Sequence, residues 1–207
     1  MPSARQNWFE GWRLFALLTL ILAALCVWIA GMRGFEADGV RMVIRFTART
    51  SLLFFCLAFS AAALARLRPT PFTRWLRRNR RTLGVTFAAS HGLHAAAIFA
   101  FAQIDPAGFA AATNLASYLF GGIGYAFIIA MTATSFDTTA AALGPRAWRA
   151  LHLVGGYYLL LQFTVSFGKR IPEMPLYALF LIPLLAVFVL RMIAMASRPA
   201  PRPLQAG

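Results

Sequence analysis

The sequence predicts an all-α fold, a polytopic membrane bundle of six transmembrane helices, from its composition, its apolar runs and the placement of its basic residues. Of its 207 residues, 60% are apolar and 13% are charged, whereas a soluble domain has about 45–50% apolar and about 25% charged residues. The 20 Lys and Arg residues outnumber the 6 Asp and Glu residues and give a net charge of +14. Because these basic residues lie between long apolar runs, the expected partner is a lipid bilayer and no nucleic acid.

Six apolar runs are long enough to cross a bilayer, whose core of about 30 Å requires about 20 residues per helix. They lie at 14–31, 46–65, 82–102, 115–134, 149–167 and 175–195. The first exceeds the usual apolar core of a signal peptide, about 7–15 residues, so it is expected to remain as a helix. Since these spans occupy most of the chain, residues 1–207 are predicted to form a single transmembrane domain.

Turn-forming residues separate the later spans. Asp105, Pro106 and Asn114 indicate the connection between the third and fourth spans, because Pro and Asn favour turns. After the fourth span, residues 138–143 precede Gly144 and are expected to form one or two helical turns at the membrane surface.

The basic residues also predict the orientation, because Lys and Arg are enriched in cytoplasmic loops. Fourteen of those outside or at the ends of the spans fall on one side, with the densest group at 66–81, and six fall on the other. The connection at 103–114 carries none. Both termini are therefore expected in the cytoplasm, with the protein in the cell inner membrane.

Three histidines stand in otherwise apolar spans, where polar groups are costly and tend to face the bundle interior. His91 and His94 are three residues apart, which is about 60° around a helix and about 4.5 Å along it, so they share a face. Counted from Arg81, they lie roughly 15 and 20 Å into the membrane, whereas His152 lies only about 4.5 Å beyond Arg149.

These histidines are the candidate metal ligands, and haem iron is the favoured metal. Neutral imidazole is a standard axial ligand, and helical bundles commonly hold b-type haem. Arg80 and Arg81, near the start of the third span, are candidates to bind haem propionates. His152 either shares one iron with His91 or His94, which we favour, or serves a separate haem. Hydrogen bonding between helices is the alternative role for all three histidines.

Glycines form a second pattern. Because glycine has no side chain, another helix or a flat ligand can approach the backbone closely at these positions. Gly121, Gly122 and Gly124 lie in the fourth span, and Gly155 and Gly156 follow His152 in the fifth. Helix packing is the favoured reason, because Gly is common in membrane helices.

Two motifs now carry a resemblance to a known family. Residues 80–85 read Arg-Arg-Thr-Leu-Gly-Val, and His94 follows Gly84 by ten residues. Residues 134–152 contain Thr-Ser, then Leu-Gly, then Trp-Arg-Ala-Leu-His. About residues 42–195 thereby resemble the ferric-reductase-like transmembrane domain family, which includes the haem-binding membrane subunit of the bacterial periplasmic methionine sulfoxide reductase system.

The resemblance implies that haem b is held between the third and fifth helices and that electrons cross the membrane. By position, His94 matches the family's outer-side ligand and His152 its inner-side ligand. Val165 departs from the pattern, since the family usually has a second histidine thirteen residues after the first on the fifth helix.

The expected activity is that of a ferric-reductase-like oxidoreductase subunit. Neither GxGxxG nor GxxxxGK[ST] occurs in the sequence, so the chain has no dinucleotide or ATP motif of its own. The expected donor is then a quinol or a separate reductase, and the acceptor is a partner protein or ferric ion on the outer side. A haem-free structural or regulatory membrane protein is the alternative.

Overall fold

The computed structural model describes residues 8–197, and all the regular secondary structure in this part of the chain is helical. Nine α-helices follow one another, with a 3-10 helix at Pro175–Phe180 leading into the last. Their bounds are α1 Gly11–Gly31, α2 Ala37–Leu67, α3 Pro71–Arg78, α4 Arg80–Ile104, α5 Pro106–Ala112, α6 Leu115–Ala133, α7 Asp137–Leu143, α8 Pro145–Gly168 and α9 Leu181–Ala196.

Six of these segments are long and apolar enough to cross a membrane, which confirms the predicted fold class. They are α1, α2, α4, α6, α8 and the segment Pro175–Ala196 that combines the 3-10 helix with α9. The protein is therefore a multi-pass helical membrane protein.

The second span begins earlier than predicted, at Ala37 and not near residue 46. Charged residues interrupt the apolar pattern in this region, but Val40 and Val43 are buried and continue the helix. The guanidinium of Arg41 lies 4.9 Å from the ring centroid of Phe101. Packing of the basic side chain on an aromatic ring lets the helix extend beyond its apolar part.

Short helices at the ends of the spans begin at identifiable caps. Thr70 accepts a hydrogen bond from the Thr73 amide before α3, and Asp105 accepts one from the Gly108 amide before α5. Helix α7 confirms the turns predicted at 138–143 and ends at Gly144, whose φ of 79° is a conformation that favours glycine.

Helix α2 packs most extensively against α4, and α6 packs against α8. Gly155 and Gly156 allow close approach on α8, since an added Cβ at Gly155 would lie 2.6 Å from the Met131 sulfur and one at Gly156 would collide with Phe59. Helix packing accounts for these two glycines, whereas Gly121 and Gly122 have open space beside them.

Candidate functional site

His91 and His94 lie together on α4, as their spacing predicts. Their ring centroids are 5.0 Å apart with the planes at 29°, so the two imidazoles are stacked. Both residues are partly buried inside a span whose neighbours are mainly apolar. The pair thus forms one polar patch in the middle part of the bundle.

His94 is held by the neighbouring helix α2. Its Nδ1 lies 3.0 Å from the Thr47 hydroxyl and 3.1 Å from the Ile44 carbonyl oxygen. Thr47 is completely buried. One ring nitrogen of His94 is therefore fixed by α2, and no hydrogen bond to Nε2 occurs in the described part of the chain.

His91 has a different environment, formed by aromatic rings. Its ring centroid lies 5.0 Å from that of Tyr125, 5.7 Å from Phe87 and 6.1 Å from Phe163. Its Nδ1 is buried and has no hydrogen-bond partner among the described residues. Such an atom is costly inside a protein, so it marks a place where a ligand or water is expected.

His152 lies on α8, away from the other two histidines. Its Nε2 is 3.3 Å from the Thr134 hydroxyl, and its ring stacks on Trp148 with centroids 4.2 Å apart. The indole nitrogen of Trp148 donates to the Thr134 carbonyl at 2.8 Å. The end of α6 and the start of α8 are thereby joined around this histidine.

The structure does not bring His152 to the His91–His94 pair. His91 contacts Phe163, which follows His152 by eleven residues, or about 16 Å of helix. Because α8 begins at Pro145, His152 falls in its second turn, whereas His94 is fourteen residues into α4. One iron shared between His152 and either other histidine, the arrangement favoured from the sequence, does not fit this geometry.

A cavity of about 420 Å³ borders His152. Arg80, Arg81 and Gly84 of α4 form part of its wall, which places the sequence-predicted Arg81 beside His152. An added Cβ at Gly84 would meet nothing within 4 Å. The other lining residues are Phe55, Ala58, Phe59, Phe87, Ile128, Met131, Thr132, Thr134, Ser135, Asp137, Ala140, Trp148 and Leu159.

The mouth of this cavity carries an ion pair between Arg81 and Asp137. The Asp137 side chain is 89% exposed. The hydrogen bond from Arg81, followed by the positive charge of its guanidinium, holds the pKa of the Asp137 carboxyl below its usual range.

The residues around the cavity fit a haem. His152 is an imidazole donor at an apolar wall, the guanidinium groups of Arg80 and Arg81 suit carboxylates, and Gly84 leaves space for a flat ring. No group of three or more His, Cys, Asp or Glu side chains able to hold a metal ion occurs within residues 8–197. A haem site does not need such a group, because porphyrin nitrogens supply most of the ligands to haem iron and the protein supplies only one or two.

The sequence alone does not predict two structural features near the histidines, the exposure of Val165 and the threonine partners of His94 and His152. Val165, at the position where the resemblance expects a second histidine, is 54% exposed and belongs to the outer surface of the helix bundle. The sequence also does not predict that Thr47 pairs with His94 and Thr134 with His152. The available signal was hydroxyl residues in apolar spans, and the fully buried Thr47, Ser51 and Ser90 follow this pattern between α2 and α4.

Comparison with known proteins agrees with the geometry. A sequence model of the family described as "Ferric reductase like transmembrane component" matches residues 46–163, more than half of the chain. The matched region includes all three histidines and the cavity wall. No curated protein and no solved structure gives a significant match.

Proposed function

The chain belongs to the ferric reductase like transmembrane component family, and we propose that it is a b-type haem-binding membrane protein that relays electrons across the bilayer. The observation that carries this proposal is the cavity in which His152 lies with Arg80, Arg81 and Gly84. An imidazole can ligate haem iron, two guanidinium groups suit its two propionates, and the open space beside Gly84 admits a flat ring.

The histidines and arginines near the cavity and on α4 have separate roles in haem binding. His152 binds the haem at the cavity, and Arg80 and Arg81 orient it through its carboxylates. His94, with His91 stacked on it, offers a second position further along α4. A haem bound at either position supplies a centre that accepts and releases one electron at a time.

The two positions are separated along the direction in which electrons must travel. Gly84 at the cavity precedes His94 by ten residues, about 15 Å of helix. This is about half of the roughly 30 Å hydrocarbon core. The buried rings of Phe87 and Phe163 contact each other, with centroids 6.2 Å apart, and both contact His91.

The donor and acceptor are proposed to lie outside this chain. A quinol in the membrane or a separate reductase delivers electrons on the cavity side, and a partner protein or ferric ion accepts them on the opposite side. The Arg residues between α2 and α4 support a cytoplasmic location for the cavity side, and hence an inner-membrane protein with cytoplasmic termini and one transmembrane domain.

A haem-free structural or regulatory role is the alternative, and a specific observation favours it. His94 and His152 both hydrogen-bond to threonines of neighbouring helices, as expected of residues that only join helices. A glutamine in place of His94 or His152 distinguishes haem binding from helix association. Glutamine keeps a side-chain donor for a threonine hydroxyl but is a poor haem ligand.

Absorption spectra of the detergent-purified chain with added haem test the proposal. We expect a Soret band and a reduced-minus-oxidised α band in the wild type. His94→Gln and His152→Gln should each remove a separate part of the signal, because Gly84, which lines the cavity beside His152, precedes His94 by ten residues, about 15 Å of helix. The His152-dependent part should be high-spin, since no histidine faces His152 across the cavity in the described residues.

Two results would overturn the proposal. The absence of both bands in a folded, membrane-inserted wild type would support the haem-free alternative. Glutamine variants with undiminished haem would show that these histidines serve helix association. A protein whose two glutamine variants lose the same low-spin signal would contradict the assignment of separate positions.

A further inference from the structure

Thr47 of α2 has its single hydroxyl hydrogen already engaged. Its Oγ1 donates to the Val43 carbonyl at 2.7 Å, the usual bond of a threonine inside a helix. A hydroxyl has one hydrogen and two lone pairs, so the Thr47 oxygen is left as an acceptor. The imidazole Nδ1 of His94, 3.0 Å away, faces this acceptor.

The Ile44 carbonyl also requires that the hydrogen of the His94 ring be on Nδ1. It lies 3.1 Å from the same Nδ1 of His94, and a carbonyl oxygen can only accept a hydrogen bond. Two acceptors therefore face one nitrogen, which must carry the hydrogen. A neutral imidazole has only one N–H, so the lone pair of His94 is on Nε2.

We propose that Thr47, together with the Ile44 carbonyl, is the positioning residue that fixes His94 in the Nδ1–H tautomer and presents Nε2 to haem iron. This inference rests on the proposed function in assigning His94 to iron, but the tautomer itself does not depend on haem. A metal-bound histidine commonly donates its other N–H to a carbonyl or similar acceptor, which fixes the ring and raises its basicity.

His152 provides a contrast within the same chain. The Thr134 hydroxyl donates to the Ala130 carbonyl at 2.7 Å, so its oxygen faces the His152 Nε2 as an acceptor. The hydrogen of His152 is thus on Nε2, the opposite nitrogen from His94, so Nδ1 is the nitrogen of His152 that is left to bind haem iron at the cavity. His91 has no partner for its Nδ1 in the described part of the chain. Only His94 among the three is held by a backbone carbonyl through Nδ1.

The proposal predicts effects on haem affinity as well as on the tautomer. Removing an outer hydrogen-bond partner of a ligating histidine typically weakens metal binding by about 10- to 100-fold. Since the Ile44 carbonyl stays in place, we expect Thr47→Val to weaken ferric haem binding at the His94 position by about tenfold. If ferrous binding is unchanged, the midpoint potential rises by about 59 mV, the equivalent of a tenfold change for one electron.

The experiment combines nitrogen NMR of ¹⁵N-histidine-labelled, haem-free protein in detergent with haem titration and redox potentiometry. The wild type should show His94 as Nδ1–H. Because the Ile44 carbonyl still accepts from Nδ1, Thr47→Val should raise the fraction of the Nε2–H tautomer above the wild-type value, and Thr47→Ser, which keeps the hydroxyl, should restore the wild-type result. Thr50→Val is the matched control, because the Thr50 hydroxyl is on the same helix and bonds to Ser90 and to the backbone carbonyls of Phe46 and Thr47, with no bond to His94.

The results of these measurements test the tautomer of His94 separately from haem binding. A wild-type His94 with its hydrogen on Nε2 would overturn the inference even if haem binds. A haem affinity and potential for Thr47→Val equal to those of Thr50→Val would also overturn it. If the chain binds no haem, the proposed function and the iron-presenting role both fail, while the NMR spectra still decide the tautomer.

Discussion

Replacement of Gly84 by alanine tests whether the cavity beside His152 binds haem or is an ordinary gap between helices. Gly84 lines the cavity beside His152, and a Cβ built on it has no atom within 4 Å. The added methyl group therefore costs nothing in the ligand-free protein. It occupies space that a flat ligand lying against α4 would need.

Gly92 is the matched control for this substitution. It is on the same helix, its added Cβ also has nothing within 4 Å, and it lies outside the cavity wall. Alanine is more favourable than glycine inside a helix by about 0.5–1 kcal/mol. Neither Gly84→Ala nor Gly92→Ala should therefore lower the thermal stability of the ligand-free protein.

The two variants should differ in haem affinity. Inserting a methyl group into a filled site typically costs about 1–3 kcal/mol, which corresponds to roughly 5- to 150-fold weaker binding. At the His152 position, we expect Gly84→Ala to lose haem affinity by this factor and Gly92→Ala to keep the wild-type value. Haem titration monitored at the Soret band, with thermal unfolding in the same detergent, measures both effects. Equal haem affinities for the two variants would refute the assignment of this cavity to haem.

Two further predictions concern charge at the membrane surface. The pKa of Asp137 is depressed by its hydrogen bond to Arg81, so the carboxylate should stay ionised as the pH falls past the usual value of about 3.9 and the ion pair should be lost only below it. Arg81→Gln should return the titration to the usual range, and a carboxyl ¹³C titration unchanged by this substitution would contradict the prediction. A reporter fused after Gly207 should be active in the cytoplasm and one inserted at 105–114 only outside it, because Lys and Arg are concentrated on the terminal side; the reverse pattern would disprove the orientation.

The sequence predicts the helices well because their signals are local. Apolar runs of sufficient length define the six spans, and turn residues such as Gly144 define where short helices end. The shared face of His91 and His94 follows from helix geometry alone. The family is also predicted correctly, since residues 80–85 and 134–152 fall inside the matched region.

The arrangement of the site depends on contacts that one sequence does not determine. The rotation of α2 against α4 decides that Thr47 faces His94, and the offset of α8 decides that His91 meets Phe163 and not His152. In the early part of α2, which starts at Ala37, Arg41 packs over Phe101, a contact between spans. Each of these is a tertiary interaction between residues far apart in the chain.

The two sequence motifs meet at one place in the fold, which argues for a ligand site over simple helix packing. Arg80, Arg81 and Gly84 come from the first motif, and Trp148 and His152 come from the second. Residues that only pack helices would fill the space between them, as Gly155 and Gly156 do by admitting neighbouring side chains. The motif residues instead line a cavity of about 420 Å³, and Arg80, Arg81 and His152 are among its polar lining residues. Since exposed ion pairs are weak, we expect Arg81 to exchange Asp137 for the carboxylate of a bound ligand.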